Sequence, residues 1–122
     1  HGSTFGGNAL TSAAAHASTK YIIDNDVPAN ATKMGDRLGR GLDGIKARNP
    51  GIVADVRGMG LLWGVEYASE MSAAVMSACN NEGLLLGILG ANGNRLMPPL
   101  TVTAEEIDRA LERYEAGLKA AA

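Results

Sequence analysis

The chain has 122 residues, which suits one domain with a modest core, and 46% of them are hydrophobic, which argues against disorder. Its formal net charge is -2, with no basic stripe, and it has one Trp, three Tyr and one Phe, so we expect no nucleic-acid partner. No apolar run reaches the roughly 20 residues of a membrane span, so we expect no membrane partner either.

The single cysteine, Cys79, lies in an apolar helical pattern and cannot form an internal disulfide, so we predict that it is a core residue. The lack of a disulfide framework favours a cytoplasmic location. The chain begins at His1 rather than at a methionine, and it has 16 glycines, many inside patterned segments. Both features suggest a piece of a larger protein that rests on surfaces outside this chain.

A glycine-rich loop over residues 1–8 precedes the first predicted helix. Its glycines, Ser3 and Thr4 offer backbone and hydroxyl donors that suit a phosphate, although such a loop is usually only a turn. Asn8 is a suitable N-cap for a helix from Ala9 to about Asp24. The many alanines of this helix would let another element approach closely.

The second predicted helix runs from Pro28 to about Arg48. Its four internal glycines each cost up to about 1 kcal/mol relative to alanine, so this helix needs a packing partner. Its apolar stripe consists of Ala31, Met34, Leu38, Leu42 and Ile45.

Two strands, over residues 52–57 and 61–67, follow and favour a hairpin with a turn or bulge at residues 58–60. We then expect a third helix capped by Ser69 and ended by Gly83. The nearly continuous apolar run over residues 84–88 predicts a central strand buried on both faces.

The last predicted strand covers residues 94–97, and Thr103 with Glu106 fits a capping box at the start of the final helix. The order ααββαββα predicts an α+β fold, with a short, mainly antiparallel sheet and helices on one face. We see no internal repeat.

Arg95, near the end of the last strand, is the most informative polar residue. Its planar, always charged guanidinium suits bidentate binding of a carboxylate, and a position on a strand would fix the direction of the side chain. The alternative is a solvated cation that protects a sheet edge from aggregation. The two histidines are far apart, no Cys/His cluster has metal spacing, and the lysines fall on polar helix faces or the tail, so no catalytic or metal-binding group is evident.

Three segments together resemble class III aminotransferases, which are fold-type I enzymes that use pyridoxal 5'-phosphate. Residues 1–8 with the following helix resemble the segment after the cofactor lysine. Residues 56–66 resemble the strand pair of the small domain, and residues 94–108 resemble the last strand and helix. The short segment between Glu66 and Gly83 and the Arg-x-x-Pro-Pro pattern are most similar to acetylornithine and ornithine aminotransferases. The 4-aminobutyrate aminotransferases remain an alternative.

The resemblance implies that residues 1–26 end the large cofactor-binding domain and its interdomain helix, and that residues 27–122 form the C-terminal small domain. Ser3 and Thr4 would bind the cofactor phosphate of the neighbouring subunit in a homodimer. Arg95 would bind the α-carboxylate of the amino donor or of 2-oxoglutarate.

The lysine that binds the cofactor covalently would lie upstream, outside this chain, so we expect the chain alone to be inactive. The full enzyme would move an amino group between an ω-amino acid, such as acetylornithine or ornithine, and 2-oxoglutarate. The rival interpretation, from another class, is a free-standing, non-enzymatic α+β module that binds a ligand or a partner helix.

Overall fold

The computed structural model describes residues 2–122; His1, the first residue of the predicted loop, lies outside them. Four helices and four strands follow one another in the predicted order, and the α+β fold is confirmed. The helices are α1 (Ala9–Asp24), α2 (Val27–Arg48), α3 (Ser72–Asn81) and α4 (Ala104–Ala121). The strands are β1 (Val53–Met59), β2 (Leu62–Tyr67), β3 (Gly87–Ile88) and β4 (Gly93–Leu96).

The sheet is antiparallel throughout, with strand order β1-β2-β4-β3. The predicted hairpin forms between β1 and β2, where Met59 pairs with Leu62, and Gly60 turns the chain at a φ of +54°. Helices α2, α3 and α4 cover one face of the sheet and share one hydrophobic core with it. We call the other side of the sheet the open face.

Helix α2 carries the predicted apolar stripe, in which four of the five side chains are buried and Ala31 packs at the margin. Its glycines allow the close approach that the sequence required. A Cβ at Gly35 would overlap the carbonyl of Gly60, and one at Gly39 would overlap the indole of Trp63. The expected packing partner of α2 is therefore the β1–β2 hairpin.

The apolar run over residues 84–88 is not a central strand, so that prediction is wrong. β3 has only two residues and lies at the edge of the sheet, and Leu85 is 86% exposed. Leu84 and Leu86 pack against the core, while the side chains of Leu85 and Ile88 are exposed. The reason is that a continuous apolar run does not reveal how many strands lie beside it.

The predicted cap of α3 is also wrong. The helix begins at Ser72, after Met71, and no side chain caps its first turn. The carbonyl of Ser69 instead accepts the backbone N–H of Met71 at 2.9 Å, which forms a turn before the helix. The predicted C-terminal glycine is confirmed, because Gly83 adopts a φ of +75° after the helix.

Two other local predictions are confirmed. Thr103 and Glu106 form a capping box at the start of α4, with both reciprocal bonds present. Cys79 is fully buried as a free thiol, and burial raises its pKa to about 11. Within residues 2–122, no helix is both long and apolar enough to cross a membrane.

An ion pair between α2 and α4 is expected to make the free energy of unfolding depend on pH in the acid range. Arg48 donates to both carboxylate oxygens of Glu115 at 3.0 and 2.6 Å, and Lys119 adds a contact at 3.1 Å. These cations lower the pKa of Glu115 from 4.5 to about 2. The folded pKa is depressed, so the stabilisation is complete above about pH 4.5 and is lost as the pH falls toward 2.

We therefore expect Glu115→Gln to lower the free energy of unfolding by about 1 kcal/mol near neutral pH, given that Arg48 is half exposed. The difference from the unmodified chain should shrink as the pH falls to about 3, measured by urea unfolding. Glu105→Gln is the control, because Glu105 pairs with Arg109 at the exposed surface. An equal pH-dependent loss in both variants would contradict the expectation.

Candidate functional site

The side chain of Arg95 leaves the sheet on the open face. Its neighbours on β4, Asn94 and Leu96, are buried on the helix side, and successive side chains of a strand point to opposite faces. β4 pairs with β2 on one side and β3 on the other, so it is an inner strand. The alternative interpretation of Arg95 as an edge-protecting charge therefore does not fit the sheet.

The strand register places a second arginine close to Arg95. Arg57 pairs with Gly64, and Gly64 pairs with Arg95, so the three residues form a row across β1, β2 and β4. Gly64 has no side chain, and a Cβ there would meet Leu89 at an ordinary contact distance of 3.4 Å. The two cations thus lie on either side of a position on the open face that has no side chain.

Gly64 belongs to a depression of about 460 Å³, which we call the open-face depression. Its lining is mostly apolar apart from the two arginines. The residues that line it are Arg57, Gly58, Met59, Leu62, Trp63, Gly64, Leu89 and Arg95. An anion with an aliphatic body would find both a cation and apolar contacts here.

The two arginines differ in their electrostatic surroundings. The Arg57 guanidinium donates to Glu66 at 2.7 Å and to Asp55 at 3.0 Å, and these bonds raise its pKa. By contrast, no carboxylate within residues 2–122 lies within 4.0 Å of the Arg95 guanidinium. Arg95 is therefore the arginine of the depression whose charge is available to a ligand.

The loop before α1 offers a separate set of donors. Ser3 and Thr4 are exposed, and Ser3 Oγ accepts the N–H of Gly6 at 3.1 Å, which leaves its own proton free to donate. Asn8 caps α1 by accepting the N–H of Thr11 at 3.0 Å, and the first turn carries no acidic residue. Hydroxyl donors in the loop before a helix whose first turn carries no acidic side chain suit a phosphate group.

Within the described part of the chain, no loop residue lines the open-face depression. Helix α1, which follows the loop, has no buried residue, and its large apolar side chains Leu10, Tyr21 and Ile23 are exposed. The chain therefore does not bring Ser3 and Thr4 together with Arg95. The two groups would have to serve different parts of a site, or different sites.

Among the residues that the structure describes, no lysine is placed as a buried reactive amine. Lys20, Lys46 and Lys119 form ion pairs with carboxylates, and Lys33 is exposed. The described residues also contain no group of three His, Cys, Asp or Glu side chains that could hold a metal ion.

Sequence reasoning missed two features of this region. The sequence pattern does not reveal Arg57 as a neighbour of Arg95, because strand register depends on residues far apart in the chain. The sequence pattern places Asn94 only at the start of a strand, yet its side chain is fully buried and hydrogen-bonded in the core. The signal that could have shown this is the alternation of side chains along a strand. If Arg95 points outward, the residue directly before it points inward.

The model of the family described as Aminotransferase class-III matches residues 1–118 of this chain. The chain therefore belongs to that family. Class III aminotransferases depend on pyridoxal phosphate. The prediction of the family from the three sequence segments is therefore confirmed.

Among curated relatives, the chain is 43% identical over 111 residues to an acetylornithine aminotransferase of Bifidobacterium longum, covering 91% of this chain and 25% of that protein. It is 37% identical over 122 residues to an ornithine aminotransferase of an Exiguobacterium species, covering 100% of this chain and 30% of that protein. The crystal structure of acetylornithine aminotransferase from Elizabethkingia anophelis superposes with a TM-score of 0.89 at 29% identity, over 98% of this chain and 32% of that one. The chain thus spans about a quarter to a third of the length of these relatives.

Proposed function

We propose that the chain is the C-terminal portion of an aminotransferase that moves an amino group between an ω-amino acid, such as acetylornithine or ornithine, and 2-oxoglutarate. The observation that carries this proposal is the Arg95 guanidinium, which has no carboxylate partner among residues 2–122 and lines the open-face depression of a class III chain. The names of the relatives support these donors. A 4-aminobutyrate donor is the alternative within the same family.

Arg95 would hold the α-carboxylate of the donor or of 2-oxoglutarate through its forked donors. Such a pair of parallel bonds fixes orientation as well as position. The apolar lining of the depression would contact the aliphatic part of the substrate. Arg57, already bound to two carboxylates, would contribute to the electrostatic potential of the depression without binding the substrate.

Pyridoxal 5'-phosphate would be the cofactor of the full enzyme, where it supplies the electron sink for the bond changes at the amino-bearing carbon. Ser3 and Thr4 would donate hydrogen bonds to its phosphate, helped by the N-terminus of α1. Because these hydroxyls do not lie at the open-face depression, we propose that they serve the cofactor of the neighbouring subunit in a homodimer.

We assign residues 1–26 to the large domain with its interdomain helix, and residues 27–122 to the small domain. The exposure of α1 along its whole length supports this division, because a helix with an alanine-rich surface and no buried residue lacks its packing partner. Asp26, at a φ of 45°, interrupts the helical backbone between α1 and α2. The partner of α1 would be the remaining large domain of the same enzyme.

The donor question is tested with the full-length gene product. Acetylornithine, ornithine and 4-aminobutyrate are each offered with 2-oxoglutarate, and glutamate formation is measured. We expect acetylornithine or ornithine to give the highest kcat/KM. Preference for 4-aminobutyrate would select the alternative, and the absence of glutamate with every donor would contradict the proposal.

We expect the 122-residue chain alone to be inactive. Its lysines are exposed or ion-paired, so none has the desolvated setting of a reactive amine. After incubation with pyridoxal phosphate and borohydride reduction, mass spectrometry should find no single lysine labelled preferentially. The full-length enzyme, treated in parallel, should be labelled at one lysine outside these residues. Preferential labelling of one lysine in the chain alone, with amino transfer, would overturn the expectation.

A further inference from the structure

A fully buried asparagine lies directly before Arg95 on β4. Asn94 Oδ1 accepts the Tyr67 hydroxyl at 2.7 Å, and Nδ2 donates to Ser72 Oγ at 3.1 Å and to the Gly87 carbonyl at 3.2 Å. A backbone carbonyl can only accept, so the Gly87 contact defines which end of the amide faces which partner. The Asn94 side chain is thus held from three directions.

The hydrogen bonds continue beyond Asn94 at both ends. Ser72 Oγ donates to the carbonyl of Gly93 at 2.7 Å, and the Tyr67 hydroxyl lies 3.0 Å from that of Tyr114. Because the Tyr67 proton is used toward Asn94, Tyr114 is the donor to Tyr67. Burial raises the pKa of both tyrosines, so both hydroxyls stay neutral donors.

We call the four side chains of Tyr67, Ser72, Asn94 and Tyr114 the Asn94 network. It connects β4 to β2, α3 and α4, and through Gly87 also to β3. Within residues 2–122, no buried side-chain nitrogen or oxygen lacks a hydrogen-bond partner. The network is therefore complete, which is the condition under which a buried polar group specifies one arrangement.

The placement of Arg95 depends on the register of a very short strand. β4 has four residues, and Leu96 is its only large apolar side chain that is buried. A one-residue slip would turn Arg95 into the core, and a two-residue slip would move it by roughly 7 Å along the open face. Burial of Leu96 is non-directional, whereas the three bonds of Asn94 are satisfied in one register only.

We infer that Asn94 is a positioning residue for Arg95: the Asn94 network holds β4 in the register that presents the guanidinium to the open-face depression. Asn94 does not contact the substrate in this arrangement, since its side chain lies on the helix side of the sheet. The inference rests on the carboxylate-binding role proposed for Arg95.

The test uses the full-length enzyme with Asn94→Leu, which keeps the number of side-chain heavy atoms and the branching at Cγ and removes all three bonds. We expect KM for 2-oxoglutarate to rise roughly tenfold while kcat stays within about threefold, since what is lost is binding of the carboxylate. Tyr67→Phe, which removes one hydroxyl and keeps the ring, should shift KM in the same direction by about threefold. If Asn94→Leu does not fold, Tyr67→Phe decides the question.

A double-mutant cycle separates positioning from general stability. With Arg95→Lys already present, adding Asn94→Leu should change KM by less than about twofold, because the binding geometry that Asn94 protects is already lost. Ile45→Ala, a core substitution on α2 outside the network, should lower the thermal midpoint and leave KM unchanged. An equal effect of Asn94→Leu in both backgrounds, or a similar rise in KM from Ile45→Ala, would overturn the inference.

The outcomes also distinguish this inference from the proposed function. An unchanged KM in Arg95→Lys alone removes the role of Arg95 and the inference with it. A raised KM in Arg95→Lys, together with unchanged values in Asn94→Leu and Tyr67→Phe, removes the inference and leaves the proposed function standing.

Discussion

Arg95→Lys in the full-length enzyme is expected to raise KM for 2-oxoglutarate about ten- to a hundredfold. Lysine keeps the charge and loses the planar fork, so a bidentate pair with a carboxylate becomes a single contact. Loss of a charged hydrogen bond costs about 1.5–3 kcal/mol, which corresponds to this range of affinity. Steady-state kinetics over a range of 2-oxoglutarate concentrations measures the effect, and titration with pyridoxal phosphate should show an unchanged cofactor affinity.

Arg57→Lys is the matched control, because Arg57 lines the same depression in the same row of residues. Its contacts to Asp55 and Glu66 both come from one guanidinium nitrogen, so a lysine ammonium can replace them. We expect KM for 2-oxoglutarate to change by less than about threefold. If Arg95→Lys left KM unchanged, or if both variants raised it equally, the role proposed for Arg95 would be wrong.

Gly35→Ala is expected to lower the free energy of unfolding of this chain by about 3 kcal/mol, at the upper end of overpacking effects. A Cβ at this position would overlap the backbone carbonyl of Gly60 in the β1–β2 turn. Backbone atoms cannot rotate away as a side chain does, so α2 would have to move off the hairpin. Urea unfolding followed by circular dichroism measures the change.

The control lies in the same helix. A Cβ at Gly44 would approach only the guanidinium of Arg48, at 3.2 Å, and that flexible side chain can shift. Gly44→Ala should therefore stabilise the chain by up to about 1 kcal/mol through helix propensity alone. The prediction concerns the opposite signs of the two substitutions, and stabilisation by Gly35→Ala would refute it.

Local features of the structure were predictable because they depend on residues close in the chain. The capping box of Thr103 and Glu106 requires only a three-residue spacing and a following helix. The apolar stripe of α2 follows from helical periodicity. The glycines of α2 predicted that another element packs closely against it. The family was also accessible, since three separated segments resembled one class of enzyme in the correct order.

Strand neighbours were not predictable in the same way. The run at residues 84–88 has the composition of a central strand, yet β3 is a two-residue edge strand. Composition reports how apolar a segment is, but the number of strands beside it depends on the path of the whole chain. The row of Arg57, Gly64 and Arg95 is likewise a property of strand pairing between distant residues.

The sequence by itself determined the helices, the family and the choice of Arg95 as a carboxylate-binding candidate. The reason is that periodicity, capping and short motifs depend on residues that are close in the chain. Only the tertiary structure decided that Arg95 lies on an inner strand with no carboxylate partner in the described part of the chain, and that Asn94 beside it is held by three hydrogen bonds. Both outcomes depend on antiparallel register, which is set by contacts between residues far apart in the chain.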